Sequence, residues 1–182
     1  MKRLALVVGI SVLLGAVALQ AQAPAAKPGP ETQRLGYFLG TWVMEGDSKD
    51  SPLSKAGKMS GTEVVSWYEG GFFLILNGET QTPTGRSKYM VVKGWDPDGK
   101  AYQAFSISST GTSGQAPKIA ARQASVSEKT WTTIWETILA GMPYHMRMTQ
   151  IELSPTSYSE RNEYSTDNKT WIMYLDKKYT KR

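Results

Sequence analysis

The residues best suited to chemistry lie late in the chain, on the predicted strands that precede the C-terminus. Arg147 and Arg161 have planar guanidinium groups, which bind a carboxylate through two parallel hydrogen bonds. Tyr158 and Tyr164, on either side of Arg161, add hydroxyl donors, so we predict that this group binds the acidic head of an amphipathic ligand. In the alternative interpretation both arginines are surface charges that face solvent. Their partners would then be glutamates: Glu136, Glu160 or Glu163.

Other reactive residue types are scarce. The chain has no cysteine and one histidine, His145, which excludes disulfides, thiol catalysis and Cys-ligated metal sites. His145 and Glu136 are further candidate ligand-binding residues. Glu63, Glu136 and Glu160 offer acid–base pairs, but among 16 acidic residues such pairs arise by chance. Because no catalytic, phosphate-binding or metal-binding motif is present, we predict no catalytic residues, no metal and no cofactor, and favour binding over enzymatic activity.

These side chains are positioned by β-strands. From Trp42 onward, segments rich in Val, Ile, Thr, Tyr and Trp alternate with Gly, Pro, Asp and Asn clusters, which predicts an all-β fold of nine or ten hairpin-linked strands. A single up-and-down barrel is the expected architecture, because closure removes the two exposed edges of the sheet. The predicted strands are Trp42–Asp47, Gly57–Tyr68, Phe72–Glu79, Ser87–Trp95, Ala101–Ser109, Lys118–Val126, Thr130–Leu139, Tyr144–Leu153, Ser157–Tyr164 and Thr170–Tyr179.

Strand periodicity does not say which side chains point inward. Residues two apart share a face, so Tyr158 and Tyr164 lie opposite Arg161, and the two arginines need not act together. No late strand is cleanly apolar on one face and polar on the other. The inward position of the arginines is therefore a hypothesis.

The N-terminus has the features of an export signal. Lys2 and Arg3 precede an apolar run that ends at a small-residue site, so we predict a signal peptide over residues 1–23, cleaved after Ala21 or Ala23. The alternative is an uncleaved membrane anchor. Residues 24–30 form a Pro-rich linker, a short helix spans Glu31–Gly40, and the barrel domain occupies residues 31–182. We thus expect a periplasmic or secreted protein without a stable membrane anchor.

Charge gives little evidence for a nucleic acid partner. The net charge is +5, and loss of the signal leaves +3, without a clustered basic face. The basic run Lys177–Arg182 is expected to be the frayed, solvated end of the last strand. We predict no nucleic acid binding, and the sequence does not indicate an oligomeric state.

Several motifs resemble those of one bacterial family. The segment Phe38-Leu39-Gly40-Thr41-Trp42 resembles the opening of lipocalins and related calycins, in which the tryptophan closes one barrel end. Together with Gly70-Gly71-Phe72, Gly94-Trp95-Asp96-Pro97 and Asp167-Asn168-Lys169, it resembles the lipocalin-like domain-of-unknown-function family 1579. The resemblance implies a closed barrel with an internal cavity, and a structural role for Gly40 and Trp42 at its end.

Haem-binding relatives among the small calycin barrels share a Gly-Thr-Trp opening. Those relatives ligate iron through a histidine near the C-terminus, but residues 157–182 contain none. His145 lies one strand earlier, with Met146 and Met148 as potential axial ligands. We regard this as a weaker interpretation than a packed or surface histidine.

Two classes of function remain. In the first, the exported barrel binds a small hydrophobic or amphipathic molecule in its lumen. In the second, side chains fill the barrel, which then serves as a structural or interaction module of the cell envelope. A lumen volume of several hundred Å³ favours the first class. A lumen closed by Trp42, Trp135 and Trp171 favours the second.

Overall fold

The structure is a computed structural model that describes residues 27–109 and 120–182. Segments rich in β-forming residues alternate with turn residues and form ten antiparallel strands. Each strand is hydrogen-bonded to its neighbours in sequence. The first and last strands also pair, so the sheet is a closed up-and-down barrel and the predicted fold class is confirmed. The strands are β1 (Gly40–Ser48), β2 (Gly57–Trp67), β3 (Phe73–Thr82), β4 (Gly85–Asp96), β5 (Ala101–Ser108), β6 (Ala120–Ser127), β7 (Thr130–Leu139), β8 (Met142–Ser154), β9 (Ser157–Ser165) and β10 (Ile172–Lys181).

Turn residues end the strands where the sequence predicts. Gly70 and Gly71 have φ angles of 86° and 75°, a left-handed conformation that favours glycine, in the turn between β2 and β3. Between β9 and β10 the left-handed position is held by Asn168, with φ 56°. The Asp167 carboxylate caps the same turn by accepting the backbone N–H groups of Lys169 and Thr170 at 2.8 and 2.7 Å.

A helical segment precedes the first strand. It consists of an α-helical turn, α1 (Pro30–Arg34), and a 3-10 turn over Leu35–Phe38. The predicted helix reached Gly40, but the chain leaves the helix at Leu39 and enters β1 at Gly40 with φ 112°. Pro30, which the sequence assigns to the linker, is the first helical residue, a position that needs no backbone N–H.

The helical segment lies across one end of the barrel, which we call the aromatic end. Tyr37 donates its hydroxyl to the carbonyl oxygens of Ser154 and Ser157, both at 2.9 Å. These contacts hold the segment against the turn between β8 and β9. The buried side chains of the aromatic end are Leu35, Phe38, Trp42, Tyr102, Trp131, Tyr158 and Tyr179.

Basic residues near the C-terminus are part of the barrel. The expected frayed end is wrong, because β10 pairs with β1 as far as Lys181, opposite Trp42. Tyr179 is buried, and Lys181 Nζ lies 5.1 Å from the Trp42 ring centroid.

The predicted signal peptide lies outside the described residues, as do the first two residues of the predicted sixth strand. In residues 27–109 and 120–182 there is no helix of the length and apolar character needed to cross a membrane.

Candidate functional site

A cavity of about 350 Å³ lies inside the barrel. It extends from Phe38 at the aromatic end to Tyr174, which belongs to a second buried cluster with Tyr144 and Met146. Between the two clusters, polar side chains from several strands point inward. We call this group the polar layer: Glu63, Tyr89, Gln150, Glu160, Asn162 and Lys177.

One carboxylate of the polar layer, Glu63, is held by two phenols. Tyr89 donates to Glu63 Oε1 at 2.5 Å, and Tyr158 donates to Oε2 at 3.2 Å. Burial raises the pKa of the Glu63 carboxyl, although the hydrogen bond from Tyr89 acts in the opposite direction. Glu63 thus retains its proton to higher pH than an exposed glutamate.

The Tyr89 ring reaches Glu63 because the strand between them has no side chain at this point. Gly78 of β3 pairs with Glu63 on one side and with Tyr89 on the other. A Cβ atom on Gly78 would lie 2.3 Å from Tyr89 Cζ, closer than any real contact. The ring therefore lies over Gly78 and crosses the strand.

The second carboxylate, Glu160, has a charged partner. Lys177 Nζ and Asn162 Nδ2 each donate to Glu160 Oε1 at 2.7 Å, and Gln150 Nε2 donates to Oε2 at 2.9 Å. Burial by itself would raise the pKa of Glu160, but the Lys177 charge and these hydrogen bonds together hold it below its ordinary value. Glu160 and Lys177 form a largely buried ion pair in which both carboxylate oxygens accept hydrogen bonds.

Lys93 of β4 also faces the cavity but has a different environment. Its ammonium group lies 4.5 Å from the Trp131 ring centroid and 4.9 Å from that of Phe38. No carboxylate of residues 27–109 and 120–182 lies within ion-pair distance of Lys93 Nζ. Burial lowers the pKa of Lys93 to about 8, against a smaller opposing effect of the Glu160 charge.

The arginines predicted to bind ligand lie outside the lumen. Arg147 Nε donates to Glu163 Oε2 at 2.8 Å, and its guanidinium lies 4.1 Å from the Trp171 ring centroid. Arg161 is exposed on the neighbouring strand. The two arginines border a groove of about 420 Å³ on the outer surface, so the structure brings them together on the opposite side of the sheet from the cavity.

His145 and Glu136 also lie on the outer surface. His145 Nδ1 is 3.2 Å from Glu136 Oε1, and the Glu136 side chain is largely exposed. Both belong to the same outward row as Arg147, since β7 pairs Glu136 with His145. The four outward candidates are thus separated from the cavity by the sheet itself.

The remaining candidates point inward. Tyr158 donates to Glu63, whereas Tyr164 packs against Tyr144 and Tyr174, with ring centroids 5.8 and 6.0 Å apart. Trp42 is fully buried at the aromatic end, where Nε1 donates to the Phe38 carbonyl at 2.7 Å. Gly40 has a φ angle of 112°, which favours glycine, and the Lys181 side chain lies over it.

Three lumen residues are not predicted from the sequence: Lys93, Lys177 and Tyr89. The available signal was the shared face of Tyr89, Val91 and Lys93 on β4. That face is no more apolar than the opposite one, which contains Met90 and Val92, so periodicity alone does not distinguish inside from outside. Within the described ranges, no three His, Asp or Glu side chains are arranged to hold a metal ion.

The fold is an up-and-down antiparallel β-barrel, closed by ten strands around an internal cavity. This chain belongs to the family described as "Protein of unknown function (DUF1579)", whose model matches residues 27–149, and the resemblance found in the sequence is confirmed.

Two solved structures are similar to this chain. The crystal structure of Rv2717c from M. tuberculosis aligns with TM-score 0.57 and 14% identity over 86% of this chain and 99% of that one. The structure of EF1p2_mFAP2b bound to DFHBI aligns with TM-score 0.42 and 12% identity over 83% of this chain and 98% of that one. None of the curated proteins compared matches this chain.

Proposed function

We propose that this protein is an exported barrel that binds a small amphipathic molecule in its lumen. The observation that carries the proposal is the cavity of about 350 Å³, whose two walls differ in polarity. Apolar side chains of β2–β4, among them Val65, Leu74 and Val91, form one wall. The polar layer, which combines Glu63 of β2 and Tyr89 of β4 with side chains of β8, β9 and β10, forms the other. A ligand with one apolar and one polar part matches both walls.

The cavity also argues against the alternative function, a structural module whose barrel is filled by its own side chains. A structural barrel packed by its own side chains would resemble a protein interior, in which voids larger than a water molecule are few. Trp171, one of the side chains expected to fill such a barrel, instead stacks on Arg147 at the outer surface. The volume of about 350 Å³ lies within the range of small-molecule sites, from about 300 to 1,000 Å³.

Lumen binding can be tested by a substitution that places a larger side chain in the cavity. Ser106 lines the cavity, so Ser106→Phe should weaken binding of dodecanoate and dodecanol by at least about tenfold, which corresponds to about 1.4 kcal/mol. Ser66→Phe is the matched control, because Ser66 is exposed on the outer face of β2. Calorimetric titration measures both. Equal affinities in the two variants, or no binding by the unmodified protein, would contradict a lumen site.

Native mass spectrometry of protein purified from its own host provides an independent test. A ligand retained in the lumen should appear as a reproducible added mass in the unmodified protein. The added mass should be lost from Ser106→Phe and kept in Ser66→Phe. Its value would give the chemical identity of the ligand.

Export rests on the N-terminal sequence alone. Cleavage after Ala21 or Ala23 predicts that the exported form begins between Gln22 and Ala25. N-terminal sequencing of protein from the cell envelope or medium measures this. Recovery of an intact N-terminus in the membrane fraction would replace export with anchoring.

A further inference from the structure

Lys93 is a half-buried cation in the lumen, and no counter-ion lies beside it among the described residues. Its Nζ atom faces the rings of Phe38, Tyr102 and Trp131, at 4.9, 6.0 and 4.5 Å from the ring centroids. Aromatic faces attract an ammonium group, but they provide no hydrogen-bond acceptor of the strength of a carboxylate. Lys93 also lines the cavity, so a ligand in the lumen would meet it directly.

The other charges of the lumen are already compensated. Lys177 and Glu160 neutralise each other at 2.7 Å, with Asn162 and Gln150 as further donors to the carboxylate. Glu63 accepts hydrogen bonds from two phenols, and its burial favours the protonated form. Of the ionisable side chains that the structure describes in the lumen, Lys93 is the one whose charge lacks an opposite partner.

We propose that Lys93 selects the head group of the lumen ligand, which is a carboxylate bound at the aromatic end with its chain along the apolar wall of β2–β4. This inference rests on the proposed lumen-binding function. A carboxylate in that position would complete an ion pair in a low-dielectric environment, where an unpaired charge is costly. The structure thereby moves carboxylate recognition from the outward Arg147 and Arg161 to an inward lysine.

Proton linkage gives this proposal a signature that a packing role lacks. Because the pKa of Lys93 is about 8, its ammonium form predominates at neutral pH and is lost above that value. Affinity for a carboxylate should therefore fall between pH 7 and pH 9, whereas affinity for the matching alcohol should not. Arginine at this position would keep its charge throughout.

Other ionisable groups line the lumen next to Lys93 or pack against its aromatic end. On the surrounding strands these are Glu63 of β2, Glu160 of β9 and Lys177 of β10, and on α1 Arg34 contacts the Trp131 ring at 5.1 Å and pairs with Glu152 of β8. Burial raises the pKa values of Tyr89, Tyr102, Tyr158 and Tyr179, so these phenols stay protonated in that range. Glu63 is the remaining group whose titration needs a control, and Glu63→Gln provides it.

The experiment measures dodecanoate and dodecanol binding by calorimetry at pH 7 and pH 9. Lys93→Met should weaken dodecanoate binding by about 10- to 100-fold at pH 7, the effect of losing a hydrogen bond to a charged group, and leave dodecanol within about twofold. Lys93→Arg should retain dodecanoate binding at both pH values. Lys88→Met, which removes an exposed lysine from the same strand, should behave as the unmodified protein.

The other possible results distinguish failure of the Lys93 proposal from failure of lumen binding. Equal weakening of acid and alcohol by Lys93→Met, or a pH profile that Glu63→Gln abolishes, would overturn the role of Lys93 while lumen binding stands. Binding of neither probe by the unmodified protein would overturn both proposals. If Lys93→Met does not fold, the comparison of Lys93→Arg with the unmodified protein at pH 9 decides, because equal losses there would contradict the proposal.

Discussion

The aromatic end and the polar layer each contain a lysine, and the two lysines differ in the groups that surround their charge. In the polar layer, Lys177 is matched by the Glu160 carboxylate, which also accepts hydrogen bonds from two amides. At the aromatic end, Lys93 is matched by ring faces alone among the described residues. The two lysines thus differ in compensation: Lys177 is neutralised within the chain, so that removal of either partner leaves an uncompensated charge, whereas Lys93 has no opposite charge beside it among the described residues.

The aromatic end should be the more sensitive region to loss of volume. Trp42→Ala removes a fully buried indole and the hydrogen bond to Phe38, so the free energy of unfolding should fall by about 3 to 5 kcal/mol. Urea denaturation measures the change. Trp171→Ala, which removes an indole from the outer surface, should cost less than about 1 kcal/mol. Similar losses for both variants would show that Trp42 does not close the barrel.

The polar layer should be sensitive to loss of charge. Lys177→Met leaves the Glu160 carboxylate buried without its cation, which should cost about 3 kcal/mol at pH 7. Because the folded pKa of Glu160 is lowered by Lys177, the stability that this pair contributes is present above the unfolded pKa and lost as the pH falls through the folded pKa. The difference between variant and unmodified protein in urea denaturation should therefore be largest at neutral pH and shrink as the pH falls, because protonation of Glu160 removes the uncompensated charge of the variant and the ion pair of the unmodified protein.

The double variant Lys177→Met/Glu160→Gln serves as the control for that prediction. It removes both charges, so most of the stability lost in Lys177→Met should return. A double variant as unstable as the single one would show that Lys177 acts through packing.

Lys93→Met should raise the free energy of unfolding, whereas Lys177→Met should lower it. The pKa of Lys93 falls from 10.5 in the unfolded chain to about 8 in the barrel, so folding with the ammonium form costs about 3 kcal/mol at neutral pH. The variant should be more stable than the unmodified protein by this amount below pH 8. The advantage should disappear between pH 8 and 10.5, where the unfolded chain binds more protons. A variant less stable at pH 7 would contradict the difference drawn between the two lysines.

The smallest effect is expected outside the barrel. Arg147→Met removes a partly exposed ion pair with Glu163 and the contact with Trp171, so it should cost less than about 1 kcal/mol. Dodecanoate affinity should be unchanged, because the sheet separates Arg147 from the cavity. Weakening of dodecanoate binding by about tenfold would restore the arginine hypothesis of the sequence analysis.

Turn chemistry explains why the sequence predicts the strands so closely. Gly70, Gly71 and Asn168 occupy left-handed positions that few residues adopt, and strand ends follow from them. The resulting run of antiparallel hairpins favours closure, which removes the exposed edges. These determinants are local, and a single sequence contains them.

The site could not be predicted in the same way. Binary patterning assumes that polar side chains face water, but the polar layer places Glu63, Glu160 and Lys177 inside the barrel. The same assumption assigned Lys177 to a solvated C-terminal run. Contacts such as Tyr89 with Glu63 depend on the register of three strands and on the gap at Gly78, which no short motif encodes.

The pairing of β1 with β10, which we call the seam, closes the barrel and so determines when the lumen forms during folding. It pairs Trp42 with Lys181, so its closure must bring together residues separated by most of the described chain, and the entropy lost in that step is offset only by the contacts that form when the two strands pair. Before then, both strands present unpaired edges, which are templates for aggregation. A ligand that requires the complete cavity binds only the closed barrel and shifts the population toward it by mass action. Occupancy of the lumen would thus protect the protein against self-association.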